Sequence, residues 1–195
     1  MINLISLTKI ILIFSLVYFL IVTGLIYLLP NIGVDGLSDT RIAFLLGTVF
    51  EFILLYLFTS GWRKVWSWFP ILNEWLFPDL NGEWDAKIIW NWDDKTGTKN
   101  GIVYIKQSFI KISVDLSTDE SESTTLLVKP FKDPESDQPS FYYMYRSESK
   151  SLNHQEKTDH KGAAIIKRDI KNNNILSGNY FTDRKTFGRY TFTKK

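Results

Sequence analysis

One short segment near the C-terminus carries side chains that could bind an anion. Tyr180, Thr182, Arg184 and Thr186 are spaced two residues apart, so a regular strand would place all four on one face. A guanidinium and hydroxyl groups donate hydrogen bonds to an anion, and a tyrosine ring offers a flat stacking surface. A structural alternative fits equally well, because Thr182, Asp183 and Arg184 are also typical of a hairpin whose arginine braces the end of a β-barrel. The pattern leaves both interpretations open.

No recognisable catalytic motif accompanies this segment. The sequence lacks G-x-S-x-G, H-E-x-x-H, Walker A and G-x-G-x-x-G motifs, and it contains no cysteine. Its two histidines, His154 and His160, are not spaced as a metal-ligand cluster. The acidic pair Asp93 and Asp94 is more typical of a turn than of acid–base chemistry. We therefore expect no enzymatic activity, no metal and no cofactor, and a role in binding or assembly.

The charge balance narrows the class of binding partner. The chain carries 23 Lys and Arg against 21 Asp and Glu, for a net charge of +2. This charge is too weak for a surface that binds DNA or RNA, and mixed charge of this kind is typical of a solvated face. We expect no DNA or RNA partner.

Two apolar segments predict a membrane anchor over residues 1–61. The range 10–29 has no charged residue and is long enough to cross a hydrocarbon core about 30 Å thick as a helix. The range 42–60 is a second such segment, interrupted only by Glu51. A cleaved signal peptide is disfavoured for the first segment, because its apolar stretch is too long and no small-x-small site follows it.

The basic residues beside these segments predict their orientation. Lys9 precedes the first segment, and Arg63 and Lys64 follow the second. Basic residues stay on the cytoplasmic side of a membrane, so both termini are expected there, with 31–40 as a short loop on the opposite side.

Glu51 lies at the centre of the second segment. An ionised carboxylate there costs about 3 kcal/mol on insertion scales, so we expect Glu51 to face protein or water, or to be protonated. One interpretation is a neutral acid that is hydrogen-bonded within the helix pair, to Thr23 or Tyr27. The other is that Glu51 drives association between protomers or lines a membrane lesion.

Residues 62–78 form a tryptophan-rich segment that we predict to be a juxtamembrane linker. Indole rings favour the lipid headgroup layer, and neighbouring cations suit anionic lipid. Trp62, Trp66 and Phe69 follow i, i+4, i+7 spacing, so a short helix would present them on one face to the membrane interface. Alternatively, the segment packs on the domain that follows it.

From residue 79 to 195 the apolar period becomes alternating, which indicates β-strands separated by turn residues. The residues on one face of the first of these strands alternate with mostly polar residues: Trp84, Ala86, Ile88, Trp90 and Trp92. The predicted strands cover 83–92, 102–107, 110–117, 124–128, 141–146, 163–168, 175–181 and 186–193.

Eight short strands with no helical segment between them favour closure, because an open sheet would leave two unprotected edges. We therefore predict a membrane α plus all-β fold, in which two transmembrane helices precede a small eight-stranded antiparallel β-barrel. A β-sandwich stays possible, since spacing does not fix which strands pair. A barrel of this size can be filled by side chains or hold one small ligand, so a lipocalin-like barrel for a lipid or other apolar molecule and a ligand-free scaffold are alternatives.

The β-rich domain resembles a known family of bacterial proteins. Its order of motifs, after two membrane segments, is similar to the two-transmembrane, β-strand-rich effectors encoded beside cGAS/DncV-like nucleotidyltransferases in CBASS antiphage operons. Phe109 stands where that family leads us to expect tryptophan, but the aromatic character is kept. The resembling segments are LNGEW at 80–84, IKQSFIKISVDLSTDESES at 105–123, YMYR at 143–146, HKGAA at 160–164 and LSGNYFTDRKTFGRYTF at 176–192.

The resemblance implies a function. A cytosolic barrel would bind a cyclic dinucleotide made by the partner nucleotidyltransferase after phage infection. Binding would then drive oligomerisation and disruption of the bacterial inner membrane, killing the infected cell before phage release.

The implied ligand offers two bases and two phosphates, so its pocket needs stacking surfaces and hydrogen-bond donors. The segment from Tyr180 to Thr186 supplies that mixture. Four residues inside the resembling segments are further candidates for ligand binding, although the two large aromatics among them are more often core residues: Trp84, Gln107, Tyr145 and His160.

Overall fold

The computed structural model describes residues 7–31, 39–151 and 159–195. His154 and most of the loop predicted over 31–40 lie outside these ranges. Two long apolar helices come first: α1 covers Leu7–Asn31 and α2 covers Asp39–Tyr56. By length and composition both are able to cross a membrane.

The two helices pack through aromatic side chains. The ring of Phe14 lies 6.3 Å from that of Phe50 and 5.8 Å from that of Phe58, centroid to centroid. Gly47 permits a close approach, because a Cβ there would lie 3.1 Å from the Tyr18 hydroxyl. The start of α1 and the end of α2 are therefore at the same level.

The second helix does not stop at residue 60 but continues toward the β-domain. A π-helical turn, Leu57–Gly61, leads into α3, Trp62–Trp68, and the short α4, Ile71–Trp75, follows. Trp62 and Trp66 are buried in the core of the β-domain, whereas Phe69 is exposed. The predicted common face toward the membrane is thus wrong for the two tryptophans, and the alternative of packing on the domain is what the structure shows for them.

The β-domain is a closed antiparallel barrel in which each strand pairs with its neighbours in sequence and β8 returns to pair with β1. This confirms the predicted fold class and excludes the sandwich. The strands are β1 Gly82–Trp92, β2 Lys95–Gln107, β3 Ile112–Thr118, β4 Ser121–Lys132, β5 Pro139–Ser149, β6 His160–Arg168, β7 Ile175–Thr182 and β8 Phe187–Lys194.

Several strands are longer than the apolar alternation indicates. Strand β2 begins at Lys95, because its polar first half pairs with β1 over Trp92↔Lys95 to Lys87↔Asn100. Backbone hydrogen bonds need no apolar side chain, so such strand ends carry no alternation signal. Ile110, predicted within a strand, lies instead in the β2–β3 turn.

The barrel has two unlike ends, which we call the base and the mouth. The base is the end reached by α3 and carries the turns β2–β3, β4–β5 and β6–β7. The mouth carries the tight turns β1–β2, β3–β4 and β7–β8. The core crosses the predicted domain boundary at residue 79, because Trp62, Trp66 and Phe77 belong to it.

Candidate functional site

The mouth opens into a cavity of about 310 Å³ inside the barrel. Six of the eight predicted ligand-binding residues line it: Tyr145, His160, Tyr180, Thr182, Arg184 and Thr186. They come from strands β5 to β7 and the β7–β8 turn. Up-and-down pairing brings these strands side by side, so residues far apart in sequence meet at one level.

The β7–β8 turn is held by its own polar groups. The Thr182 hydroxyl accepts a hydrogen bond from the Thr186 backbone N–H at 3.2 Å, and the Thr182 N–H donates to the Thr186 carbonyl at 2.9 Å. The Asp183 carboxylate accepts from the Lys161 N–H at 3.1 Å, which ties the turn to β6. Lys185 takes a φ of 61°. Thr182 and Asp183 therefore fix the shape of the turn.

Arg184 takes no part in holding that turn. Its guanidinium carbon lies 5.9 Å from the centre of the Trp92 ring, in a cation–π arrangement. Its Nε is buried and has no hydrogen-bond partner within the described part of the chain. The contact with Trp92 ties the β7–β8 turn to the end of β1, so a bracing role stays open beside ligand binding. The unpaired Nε is what a purely structural role does not account for.

A layer of tyrosines forms the floor of the cavity. Tyr180 stacks on Tyr190 with ring centroids 4.3 Å apart, and the Tyr190 and Tyr145 hydroxyls are 2.8 Å apart. Burial raises the pKa of Tyr145 to about 12, and it raises that of Tyr180 still further. These phenols are neutral donors and acceptors at physiological pH.

The tyrosine layer depends on one missing side chain. Gly162 of β6 lies opposite Tyr145 of β5, and a Cβ there would lie 2.3 Å from the Tyr145 ring. Such a distance is a severe clash with a buried ring, so only glycine leaves Tyr145 in its present position.

Trp84 and Gln107, the other two predicted ligand-binding residues, do not line this cavity. Both lie at the base. The Trp84 indole N–H donates to the Leu80 carbonyl at 3.0 Å, and the Gln107 amide bonds both the Leu80 N–H, at 2.9 Å, and the Pro78 carbonyl, at 3.1 Å. Their polar atoms hold the base closed.

The cavity includes aromatic residues that the sequence analysis did not propose as ligands. Trp90 and Trp92 line it at the end of β1, and Trp92 is 50% exposed. The Trp90 indole N–H is buried without a partner among the described residues, and its ring lies against Gly97. The alternation of β1 placed both rings on the inward face but did not show that they reach the mouth.

The remaining wall of the cavity is polar. Lys99 forms an ion pair with Glu120 at the rim. His160 lies near Tyr145 in an edge-to-face arrangement, with ring centroids 6.4 Å apart. Hydroxyl groups complete the wall: Thr118, Ser121, Ser123 and Ser147. The cavity thus combines flat rings with neutral and cationic donors, which suits an anion that carries planar groups.

A second cavity of about 520 Å³ lies between the apolar helices. Glu51 of α2 faces it, together with Ser15 and Tyr18 of α1. Glu51 is exposed and forms no hydrogen bond with the described residues. Thr23 and Tyr27, the predicted partners within the pair, do not line this cavity. The interpretation that they neutralise Glu51 stays a prediction.

Comparison with known proteins identifies relatives that share this domain. CD-NTase-associated protein 15 of Staphylococcus schleiferi is 26% identical over 133 residues, which cover 67% of this chain and 69% of that protein. The family model described as Cap15, cyclic dinucleotide receptor domain, matches residues 75–194, more than half of the chain, and this range contains the whole barrel and every residue of the mouth cavity. The resemblance is thereby confirmed, and this chain belongs to the Cap15 cyclic dinucleotide receptor domain family.

Proposed function

We propose that the mouth cavity binds a cyclic dinucleotide and that the protein acts by binding, without catalysis. The observation that carries this proposal is Arg184, whose buried Nε has no partner among the described residues although it stands at the wall of an open cavity. A buried unpaired donor costs about 1–3 kcal/mol, and a phosphate oxygen would relieve that cost.

The aromatic residues of the cavity would contact the bases of the ligand. Trp92 is half-exposed at the rim and offers a ring face to a base. Trp90 adds an indole N–H that has no partner in the described chain and suits a base or phosphate acceptor. Each base stacked on an aromatic ring contributes about 1–3 kcal/mol.

The lining favours this ligand over a lipid or other apolar molecule, the second candidate. A lipocalin-like site would have an almost entirely apolar lining. Here Arg184 and several hydroxyls share the wall with the rings. An apolar ligand would leave these groups desolvated and unpaired.

The experiment is calorimetry on the full chain in detergent with cyclic di-AMP, cyclic di-GMP and cyclic di-UMP as probes. Arg184→Ala should weaken the tightest of these at least tenfold, since one hydrogen bond to an ionised group contributes about 1.5–3 kcal/mol. Arg189→Ala is the matched control, because Arg189 lies on the outside of β8 and does not line the cavity. Equal affinity of parent and Arg184→Ala would place the pocket elsewhere, and binding of a fatty acid alone would favour the second candidate.

The family supports a role as a CBASS effector, in which the ligand comes from a partner cGAS/DncV-like nucleotidyltransferase. We place the chain in the bacterial inner membrane with both helices spanning it and both termini in the cytoplasm. Lys9 at the start of α1 and Arg63 and Lys64 after α2 support this orientation. A C-terminal alkaline phosphatase fusion should be inactive, and an active fusion would contradict the orientation.

Ligand binding then drives oligomerisation. The outer surface near the mouth supports this step, because a row of directly paired outward-facing residues, four of them exposed and one half-buried, crosses five strands there. Phe181 and Phe187 in this row are the last pair before the turn that carries Arg184. A ligand that binds Arg184 and pulls the β7–β8 turn toward the cavity would also shift this outer pair. The row, which we call the outer patch, consists of Leu127, Met144, Ala163, Phe181 and Phe187.

A second copy of the chain is the expected occupant of the outer patch. Light scattering of the full chain in detergent should show growth in mass on addition of the ligand. Phe187→Ser should bind the ligand normally but assemble less. Ile89→Ser, which removes an exposed residue of β1 outside this row, is the control.

Membrane disruption is the last step, and Glu51 is the residue we assign to it. Its carboxyl faces a cavity in the span region without a partner among the described residues, so a second protomer or water must solvate it. Glu51→Leu should leave ligand binding intact but abolish dye release from vesicles. Unchanged release would remove Glu51 from the mechanism.

A further inference from the structure

The base of the barrel exposes large apolar side chains at its turns. Ile110 in the β2–β3 turn is 57% exposed, and Ile170 in the β6–β7 turn is 78% exposed. Single exposed apolar residues are common, but these occupy the tips of turns, where polar residues are usual. The mouth differs, since its tips are charged: Asp93, Asp94, Asp119, Glu120, Asp183, Arg184 and Lys185.

The linker that closes the base has two faces. Trp62, Trp66 and Phe77 are buried in the barrel core. The residues on its other face are among the most exposed aromatics and aliphatics outside α1 and α2: Trp68, Phe69, Ile71 and Trp75. This second face is turned away from the barrel core.

Two contacts place these residues at one level. Ile110 lines the cavity between α1 and α2 together with Ile11, Phe14 and Phe58, the residues at the barrel-side end of both helices. Leu72 of α4 and Leu76 after it pack against the barrel core, which holds the linker at the base, the end that also carries the β6–β7 turn with Ile170.

Exposed lysines accompany the apolar residues. Lys111 follows Ile110, Lys171 follows Ile170, and Lys64 lies in α3. None of the three forms an ion pair with the described residues, whereas Lys132 and Lys167 elsewhere at the base are paired with Asp137 and Asp133. Unpaired lysines beside apolar tips are the pattern that suits an anionic lipid surface.

We propose that the base of the barrel is a membrane-contacting surface, with Trp68, Phe69, Ile71, Trp75, Ile110 and Ile170 in the headgroup–acyl boundary and Lys64, Lys111 and Lys171 on anionic phospholipid headgroups. This inference rests on the proposed function in one respect, that α1 and α2 cross the bilayer. The β4–β5 turn, Asp133–Gln138, is polar and lies outside the surface. The barrel therefore rests on the membrane by part of its base, with the mouth turned to the cytosol.

Spin labels on single cysteines test this, because the chain contains no cysteine of its own. The full chain is reconstituted in nanodiscs of phosphatidylcholine with phosphatidylglycerol, and collision with oxygen, which partitions into lipid, is compared with collision with aqueous nickel-EDDA. Labels at Ile110→Cys and Ile170→Cys should favour oxygen several-fold over labels at Asp94→Cys and Asp119→Cys in the mouth turns. Glu135→Cys, in the polar base turn, should resemble the mouth.

A label at Phe52→Cys, exposed in the middle of α2, distinguishes a failure of the proposed spans from a failure of the membrane-contacting surface. If it is reached by nickel-EDDA, the proposed spans are wrong. If it is in lipid while Ile110→Cys and Ile170→Cys are reached like the mouth turns, the spans stand and the membrane-contacting surface is overturned.

The lysines are tested by lipid charge. Removing phosphatidylglycerol should lower the oxygen preference at Ile170→Cys, and Lys111→Gln with Lys171→Gln should make that label insensitive to lipid charge. Lys95→Gln with Lys161→Gln, both outside the base, is the matched control. Equal oxygen preference in the two lipids for the parent protein would overturn the headgroup contact and leave only an apolar one.

Discussion

The base and the mouth are built from the same eight strands, yet their buried polar groups differ in whether they have hydrogen-bond partners within the protein. At the base, the Trp66 indole N–H donates to the Phe77 carbonyl at 2.9 Å, and Gln107 is bonded through both ends of its amide. Away from the mouth cavity, the Trp62 indole N–H and the Tyr143 hydroxyl are buried without a partner among the described residues. At the mouth, Arg184 and Trp90 both keep a buried unpaired N–H, beside a half-exposed Trp92.

We interpret the difference as a division between polar groups that hold the fold together and polar groups that are left for a ligand. A buried donor that is paired within the protein stabilises the fold, whereas one that is left unpaired destabilises it until a ligand arrives. The base is therefore expected to respond to mutation through the free energy of unfolding, and the mouth through ligand affinity. Each of the following changes probes that division.

The largest effect is expected at the base. Trp62→Ala removes a fully buried indole and should lower the free energy of unfolding by about 3–5 kcal/mol. Trp68→Ala, two turns later and exposed, should change it by less than about 0.5 kcal/mol. Denaturant unfolding of the full chain in detergent, followed by circular dichroism, measures both. Equal midpoints for the two variants would mean that the linker does not close the barrel.

The next effect is expected at the mouth, in affinity alone. Trp92→Ala should weaken cyclic dinucleotide binding by an amount equivalent to about 1–3 kcal/mol, the contribution of one stacked base. Its melting temperature without ligand should be that of the parent, since the side chain is half-exposed. Calorimetry combined with a thermal melt checks both parts, and a large loss of stability would assign Trp92 to the core.

A smaller effect is expected in the layer between the two ends. Tyr190→Phe removes the hydroxyl that is 2.8 Å from that of Tyr145 and should cost about 1 kcal/mol in stability. Tyr104→Phe, on the outer surface of β2, is the control. A neutral result for Tyr190→Phe would indicate that water replaces the lost partner from the cavity.

The smallest effect is the loss of stability expected on reaching pH 10. Burial raises the pKa of Tyr145 to about 12. The folded state therefore holds its proton where the unfolded state releases it, so stability is unchanged below about pH 10 and declines as pH rises toward 12. At pH 10 the loss from this residue is only about 0.4 kcal/mol. Absorbance of tyrosinate in folded and unfolded protein measures the shift, and identical titrations would contradict it.

Sequence patterns predicted the elements of this fold well because the burial environment of each is simple. Long apolar segments gave the two helices, and alternation gave the eight strands. Closure of the barrel followed from the need to pair every strand edge. The strand ends were missed where, as at the start of β2, backbone pairing continues beneath polar side chains.

The site was harder to predict because alternation gives the side of a strand and not the height along the barrel. Trp84 and Trp92 share the inward face of β1, yet they lie at opposite ends. Height is fixed by the register with neighbouring strands, which the sequence does not show. Trp92 was therefore not proposed and Trp84 was expected at the wrong height, whereas the segment from Tyr180 to Thr186 does line the mouth cavity, because its turn marked it as an end of the barrel.

The π-helical turn Leu57–Gly61 fixes the direction about the helix axis in which the residues after α2 point toward the barrel. An α-helix advances about 100° per residue, so deleting one residue in this turn would rotate Trp62 and Trp66 by that angle, out of the barrel interior. Substitutions among apolar residues of α1 and α2 change no such angle. The protein should therefore tolerate wide drift in the composition of its anchor, while the number of residues that joins anchor to barrel is held constant.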